Sequence, residues 1–123
     1  MRPLLAVTAL LLPACATLPK GTPSPDTPVG VRSLNASDVD VYLLCGDHEA
    51  RWLGLVAQHG AAAYAISAEE RRCAVGLNFF LVVRTAGRGY WVGPIRPQAA
   101  TSVELVIEKY AGLSIANLEG DNR

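Results

Sequence analysis

From Val39 to Cys45 the chain alternates without a break. Val39, Val41, Leu43 and Cys45 fall on one side, and Asp38, Asp40, Tyr42 and Leu44 on the other. A period of two marks a strand with one buried face, here with Cys45 on the apolar side. Asn35-Ala36-Ser37-Asp38 before it is turn chemistry, which makes Val29 to Leu34 an earlier, shorter strand. Cys45-Gly46-Asp47-His48-Glu49 is the next turn, followed by a strand over Arg51 to Gln58. His59-Gly60 then leads into Ala61 to Ser67, where Tyr64 and Ile66 share a face. Ala68 to Arg72 is too short to separate a helical turn from a charged loop.

Val75 to Arg84 is the most apolar stretch after the leader. Phe79, Leu81 and Val83 lie on one face and Phe80 and Val82 on the other, which predicts a central strand covered on both sides. Ala86-Gly87-Arg88-Gly89 signals a hairpin into Tyr90-Trp91-Val92, after which Pro94 and Pro97 exclude a continuing central strand. Thr101 to Lys109 alternates again, with Val103, Leu105 and Ile107 opposed by Glu104 and Glu108, and a last short strand spans Leu113 to Asn117. Seven or eight short strands with turn residues at each break, and no amphipathic helix, predict an all-β fold. The architecture expected is a small antiparallel β-sandwich, immunoglobulin-like, over residues 29–118, with a polar tail at 119–123. A small barrel is the alternative.

Two segments precede that domain. Met1 to Cys15 carries Arg2, an apolar run from Leu4 to Leu12, and then Pro13-Ala14-Cys15. A membrane span needs about 20 apolar residues, so this run reads as the core of a signal peptide. Leu12-Pro13-Ala14-Cys15 resembles the bacterial lipoprotein signal, with Pro13 a less usual residue at its position. The resemblance implies a signal peptide over 1–14, cleavage before Cys15 and lipidation of Cys15. It also implies membrane attachment through that lipid, and Ala16 after the cysteine points to the outer membrane, on its periplasmic side. Cys15 with Ala16 to Pro28 then forms a linker over residues 15–28, punctuated by Pro19, Pro23, Pro25 and Pro28. An extended proline-rich chain of this length reaches about 40 Å.

Charge narrows the partners. The formal net charge is +0, falling to about −1 once Arg2 is removed, and the basic residues are scattered. No electrostatic footprint for nucleic acid is present. Of the three cysteines, the lipobox accounts for Cys15, leaving Cys45 and Cys73 as an even pair in an oxidising compartment. A disulfide between them is expected, compatible with a bridge between sheets.

Candidate chemistry is sparse. The Cys45 to Glu49 turn clusters a thiol, an imidazole and two carboxylates, but only His59 remains as another histidine, so no metal site is expected. None of Ser33, Ser37, Ser67, Ser102 and Ser114 sits in a nucleophile-elbow context. Glu69-Glu70 beside Arg71-Arg72 reads as a self-compensated loop, and Glu104 and Glu108 as the polar face of a strand that guards an edge. No catalytic residue and no cofactor is assigned. Tyr42, Trp52, Tyr90 and Trp91 offer glycan or protein a binding surface where they point outward, and Trp52, Tyr90 and Trp91 are the candidate ligand-binding aromatics. In a domain this small the core is the favoured place for both tryptophans.

Asn35 and Asp38-Val39 with Val41-Tyr42-Leu43, Leu53-Gly54 with Val56, Leu81 to Arg84 and Val103-Glu104-Leu105 together resemble a group of small uncharacterised bacterial lipoproteins with one β-sandwich domain. The resemblance covers Val29 to Lys109 and implies the fold, with no assigned site. The expected function is that of a lipid-anchored, non-catalytic structural or protein-interaction module of the cell envelope. A glycan- or peptidoglycan-binding module is the alternative, and an envelope hydrolase comes last.

Overall fold

The structure, a computed structural model, describes residues 25–120. The segment read as a signal peptide, Cys15, most of the segment read as a linker and the last residues of the tail lie outside the described residues. Eight strands build two sheets. They are β1 (Thr27–Ser33), β2 (Val39–Cys45), β3 (Arg51–Val56), β4 (Ala61–Ile66), β5 (Leu77–Val83), β6 (Arg88–Ile95), β7 (Thr101–Ile107) and β8 (Ile115–Gly120). One sheet has the order β4-β1-β7-β8 and the other β3-β2-β5-β6. The chain changes sheet at β1–β2, β3–β4, β4–β5 and β6–β7. All pairings are antiparallel except β1 with β7, which run parallel. No helix among the described residues is long and apolar enough to cross a membrane.

The alternation read from the sequence is what joins the two sheets. Val29 and Val31 of β1, Val103, Leu105 and Ile107 of β7, Val39, Val41 and Leu43 of β2, and Phe79, Leu81 and Val83 of β5 all point into one core. Each such side chain contributes about 1.5–3 kcal/mol when buried. Among the described residues Phe79 is the one fully buried aromatic side chain of the core. Asn35 closes one end of the sandwich. Its Nδ2 donates to the carbonyls of Glu108 and Lys109, its Oδ1 accepts from the Ser37 N–H, and its own carbonyl accepts from the His59 N–H.

Several expectations are corrected here. β5 is central within its sheet, yet only one face is buried, so Phe80 and Val82 are half-exposed and the strand is not covered on both sides. β7 is an interior strand, so Glu104 guards no edge; it faces Arg32 at 3.9 Å. β6 is an edge strand, in keeping with Pro94 and Pro97 excluding a central one, but it runs beyond Val92 through Pro94 to Ile95, where an edge tolerates the missing N–H. The disulfide Cys45–Cys73 is present, but it does not bridge the sheets. It ties the end of β2 to the connection that carries the chain from β4 across to β5. Neither tryptophan is core: Trp52 is 55% exposed and Trp91 is 60% exposed.

Candidate functional site

The outward positions of the β3-β2-β5-β6 sheet carry the most distinctive chemistry of the described residues. Tyr42 on β2 lies opposite Trp52 on β3 and opposite Phe80 on β5, and Phe80 lies opposite Trp91 on β6. Trp52, Tyr42, Phe80 and Trp91 therefore form one row across all four strands. Adjacent strands are about 4.8 Å apart, so the row spans about 14 Å.

A β-bulge decides that Trp52 belongs to it. Val39 to Val41 pair with Val56 to Gly54, but the register slips between Val41 and Tyr42. One extra residue on β3, Leu53, turns toward the core, and Trp52 comes out opposite Tyr42. Without the slip Trp52 would face inward opposite Leu43, because a one-residue shift exchanges the two faces. Gly54 at the bulge leaves space that the Tyr64 ring fills from β4. Burial in that position, with the Asp40 carboxylate near, raises the Tyr64 hydroxyl above its ordinary pKa.

The row is held from both sides. The Phe80 ring lies across Gly89, where a β-carbon would overlap it, and leans on Trp91 with ring centroids 4.6 Å apart at 48°. On the other flank, Asp40 is buried on the outward side of β2. Its Oδ1 accepts from Trp52 Nε1 at 3.0 Å and from Arg84 Nη2 at 3.2 Å, and its Oδ2 accepts from Arg84 Nε at 2.8 Å. Arg84's hydrogen bonds hold the Asp40 carboxyl below its usual range against the opposing effect of burial, and Trp52 adds to the lowering. Leu55 and Val82 flank Asp40 on β3 and β5.

Of the aromatics singled out from sequence, the structure brings Trp52 and Trp91 together with Tyr42 and separates Tyr90 from them. Tyr90 points inward, packed against the core beside Gly112. Phe80, missing from the candidates, takes its place. Its signal was present in the alternation, which set it on the face opposite Phe79; only the expectation that a second layer covered that face hid it.

The polar turn after β2 contributes to a second feature, an open cleft of about 790 Å³ beside the disulfide. His48, Arg51, Tyr64, Ser67, Glu70 and Arg72 line it. Its groups are largely committed to one another. Glu70 accepts from Arg51 Nε and Nη2 at 2.6 and 2.9 Å, while the Ser67 N–H donates to Glu70 and the Ser67 Oγ accepts from the Glu70 N–H. That reciprocal exchange is a capping box, and it holds the short 3-10 turn Glu70–Arg72. Burial opposes ionisation of Glu70, but its bonds with Arg51 and Ser67 outweigh it, and the carboxyl lies below its usual range. Glu70 is thus compensated by Arg51 rather than by the arginines beside it. Arg71 instead donates to the Pro25 carbonyl and the Thr27 hydroxyl, fixing where the chain enters β1.

His48 and His59 lie at opposite ends of β3, about 20 Å apart along a strand of that length. They do not share a site. His48 and Ser67 both line the cleft, with no hydrogen bond between them among the described residues, and Ser67 Oγ is engaged at the cap. Among the described residues no group of three or more His, Cys, Asp or Glu side chains is placed to hold a metal ion. On the outer face of the other sheet, the β4–β1 half carries small residues, with Gly30, Ala61, Ala63 and Ala65 exposed beside the Arg32–Glu104 pair.

No family model matches the chain, and no curated protein matches it. Among solved structures, the chain is similar to an NMR structure of a protein from Eubacterium rectale. The two share 9% identity with a TM-score of 0.51, over 86% of this chain and 98% of that one. At that identity the likeness is one of fold. Fold and site together define a small β-sandwich with one aromatic outer face.

Proposed function

We propose that this is a lipid-anchored protein of the cell envelope, attached through Cys15, whose sandwich is a non-catalytic interaction module. Its working surface is the Trp52–Tyr42–Phe80–Trp91 face. The observation that supports this reading is the row itself: two tryptophans more than half exposed, in register with two further rings. Large aromatic rings left on a surface cost solvation, and they are enriched where partners dock. The lipobox reading of Leu12 to Cys15 supplies the anchor, and Ala16 after it the address, the outer membrane on its periplasmic side. The cleft beside His48 supports a hydrolase poorly, since Ser67 and Glu70 are engaged with each other in the cap.

Two measurements test the reading. Labelled palmitate enters the wild-type chain and fails to enter Cys15→Ser; equal labelling of both overturns the anchor. A photo-crosslinking residue at position 91, activated in intact cells, captures an envelope component. Capture unchanged by Trp52→Ala and Phe80→Ala overturns the assignment of the face.

A further inference from the structure

Building on that reading, we infer that the occupant of the aromatic row is a single extended glycan chain of 1,4-linked pyranose units, lying across the strands from Trp52 to Trp91. Three observations carry it. The first is spacing. The row presents one ring per strand, about 4.8 Å apart, which matches the advance of one sugar unit along an extended 1,4-linked chain. A peptide adding along a strand would run at right angles to this row.

The second is charge. Among the outward positions of the four strands, Trp52 and Leu55, Asp40, Tyr42 and Leu44, Asn78, Phe80 and Val82, and Gly89 and Trp91, the only charged side chain is Asp40. Arg84 neutralises it. A neutral surface of this kind complements a polyhydroxylated chain, whose C–H faces stack on the rings.

The third is the state of the polar tips. The Trp52 N–H is spent on Asp40, so what that residue offers is its ring face. The Trp91 N–H and the Arg84 Nη1 have no protein acceptor among the described residues. They are left as donors for ring hydroxyls or acyl oxygens. Adjacent strands are also rotated by about 20–25°, and the Phe80 and Trp91 rings are tilted 48° to each other, so the row is not a flat platform. That twist fits one flexible chain better than the flat face of a packed polysaccharide.

The experiment uses the full lipidated chain in detergent micelles, with chitotetraose and protein-free peptidoglycan sacculi as probes. Titration is followed by isothermal titration calorimetry, and sacculus binding by co-sedimentation. Both probes bind the wild type, Trp52→Ala with Trp91→Ala weakens binding at least tenfold, and Tyr110→Ala leaves it unchanged. Urea unfolding of each variant establishes that the fold is retained. Glycan binding that survives the double substitution overturns the inference. So does the absence of glycan binding where crosslinking at position 91 still captures a protein through the same rings; that result leaves the interaction face standing. If neither probe nor crosslink depends on the row, both this inference and the face assignment fall.

Discussion

The indole N–H of Trp52 donates to the buried carboxylate of Asp40 at 3.0 Å, across the β-bulge that separates their strands. Arg84 holds the other side of the same carboxylate. A ring more than half exposed is thereby fixed in direction by a group that is almost wholly covered. Asp40 has two partners, and removing it leaves both without an acceptor. Asp40→Ala is expected to cost about 1–3 kcal/mol by urea unfolding. It is also expected to broaden the Trp52 indole signal in proton NMR, whereas Trp91 stays sharp.

The same pair sets a pH dependence. Asp40 and Glu70 both have folded-state values below their ordinary ones, so each adds stability above the unfolded pKa that is lost as pH falls through the folded value. The acid limb of the stability curve therefore lies below about pH 4. Asp40→Asn combined with Glu70→Gln flattens that limb in urea unfolding measured from pH 6 to pH 2. An unchanged limb assigns it to other carboxylates.

Cys45–Cys73 staples the sheet-to-sheet connection to the end of β2, closing a segment with a sequence separation of 28. On the chain-entropy relation a loop of that length contributes roughly 3.6 kcal/mol. Cys45→Ala with Cys73→Ala is expected to lower the unfolding free energy by about 2–4 kcal/mol with the sheets retained by circular dichroism. A loss below about 0.5 kcal/mol contradicts the stapling role.

Phe79 and Phe80 are neighbours with opposite duties. Phe79 is wholly buried and Phe80 is half-exposed. Phe79→Ala is expected to cost about 3–5 kcal/mol and to unfold the domain near physiological temperature. Phe80→Ala costs less than half as much in the same urea assay and instead weakens binding at the face.

Gly89 lies under the Phe80 ring, so Gly89→Ala pushes that ring off the strand. The expected loss is about 1–3 kcal/mol. A changed near-ultraviolet circular dichroism spectrum accompanies it, because Phe80 leaves Trp91. Phe80→Ala in the Gly89→Ala background recovers part of the loss. If it recovers none, the two residues do not interact as described.

Much of the fold was legible along the chain. Period-two alternation placed the strands, since a half-buried sheet exposes every second side chain to water and buries the rest. Turn residues marked the breaks: Asn35 and Ser37, Gly46, Gly60 and Gly87 each stand at one. The pair Cys45 and Cys73 was readable from the count once the lipoprotein-signal resemblance set Cys15 aside, although its geometry was not. Which elements the bridge joins depends on the path of the chain between sheets, and no local pattern encodes that path.

The candidate face was only half legible. The alternation set Tyr42 on the side opposite the apolar face of its strand and Phe80 on the side opposite Phe79, and this holds. Whether a second layer covered that side was a question of packing order, and Phe80 was misjudged because an apolar face of a central strand is usually covered. Trp52 was undecidable from its neighbours. Leu53-Gly54-Leu55 reads as an unbroken strand, but pairing with β2 inserts Leu53 as an extra residue and turns Trp52 from the core to the surface. Local sequence determines which residues alternate. Only the register against a neighbouring strand decides which face looks outward, because a slip of one residue costs little locally and exchanges every side chain beyond it.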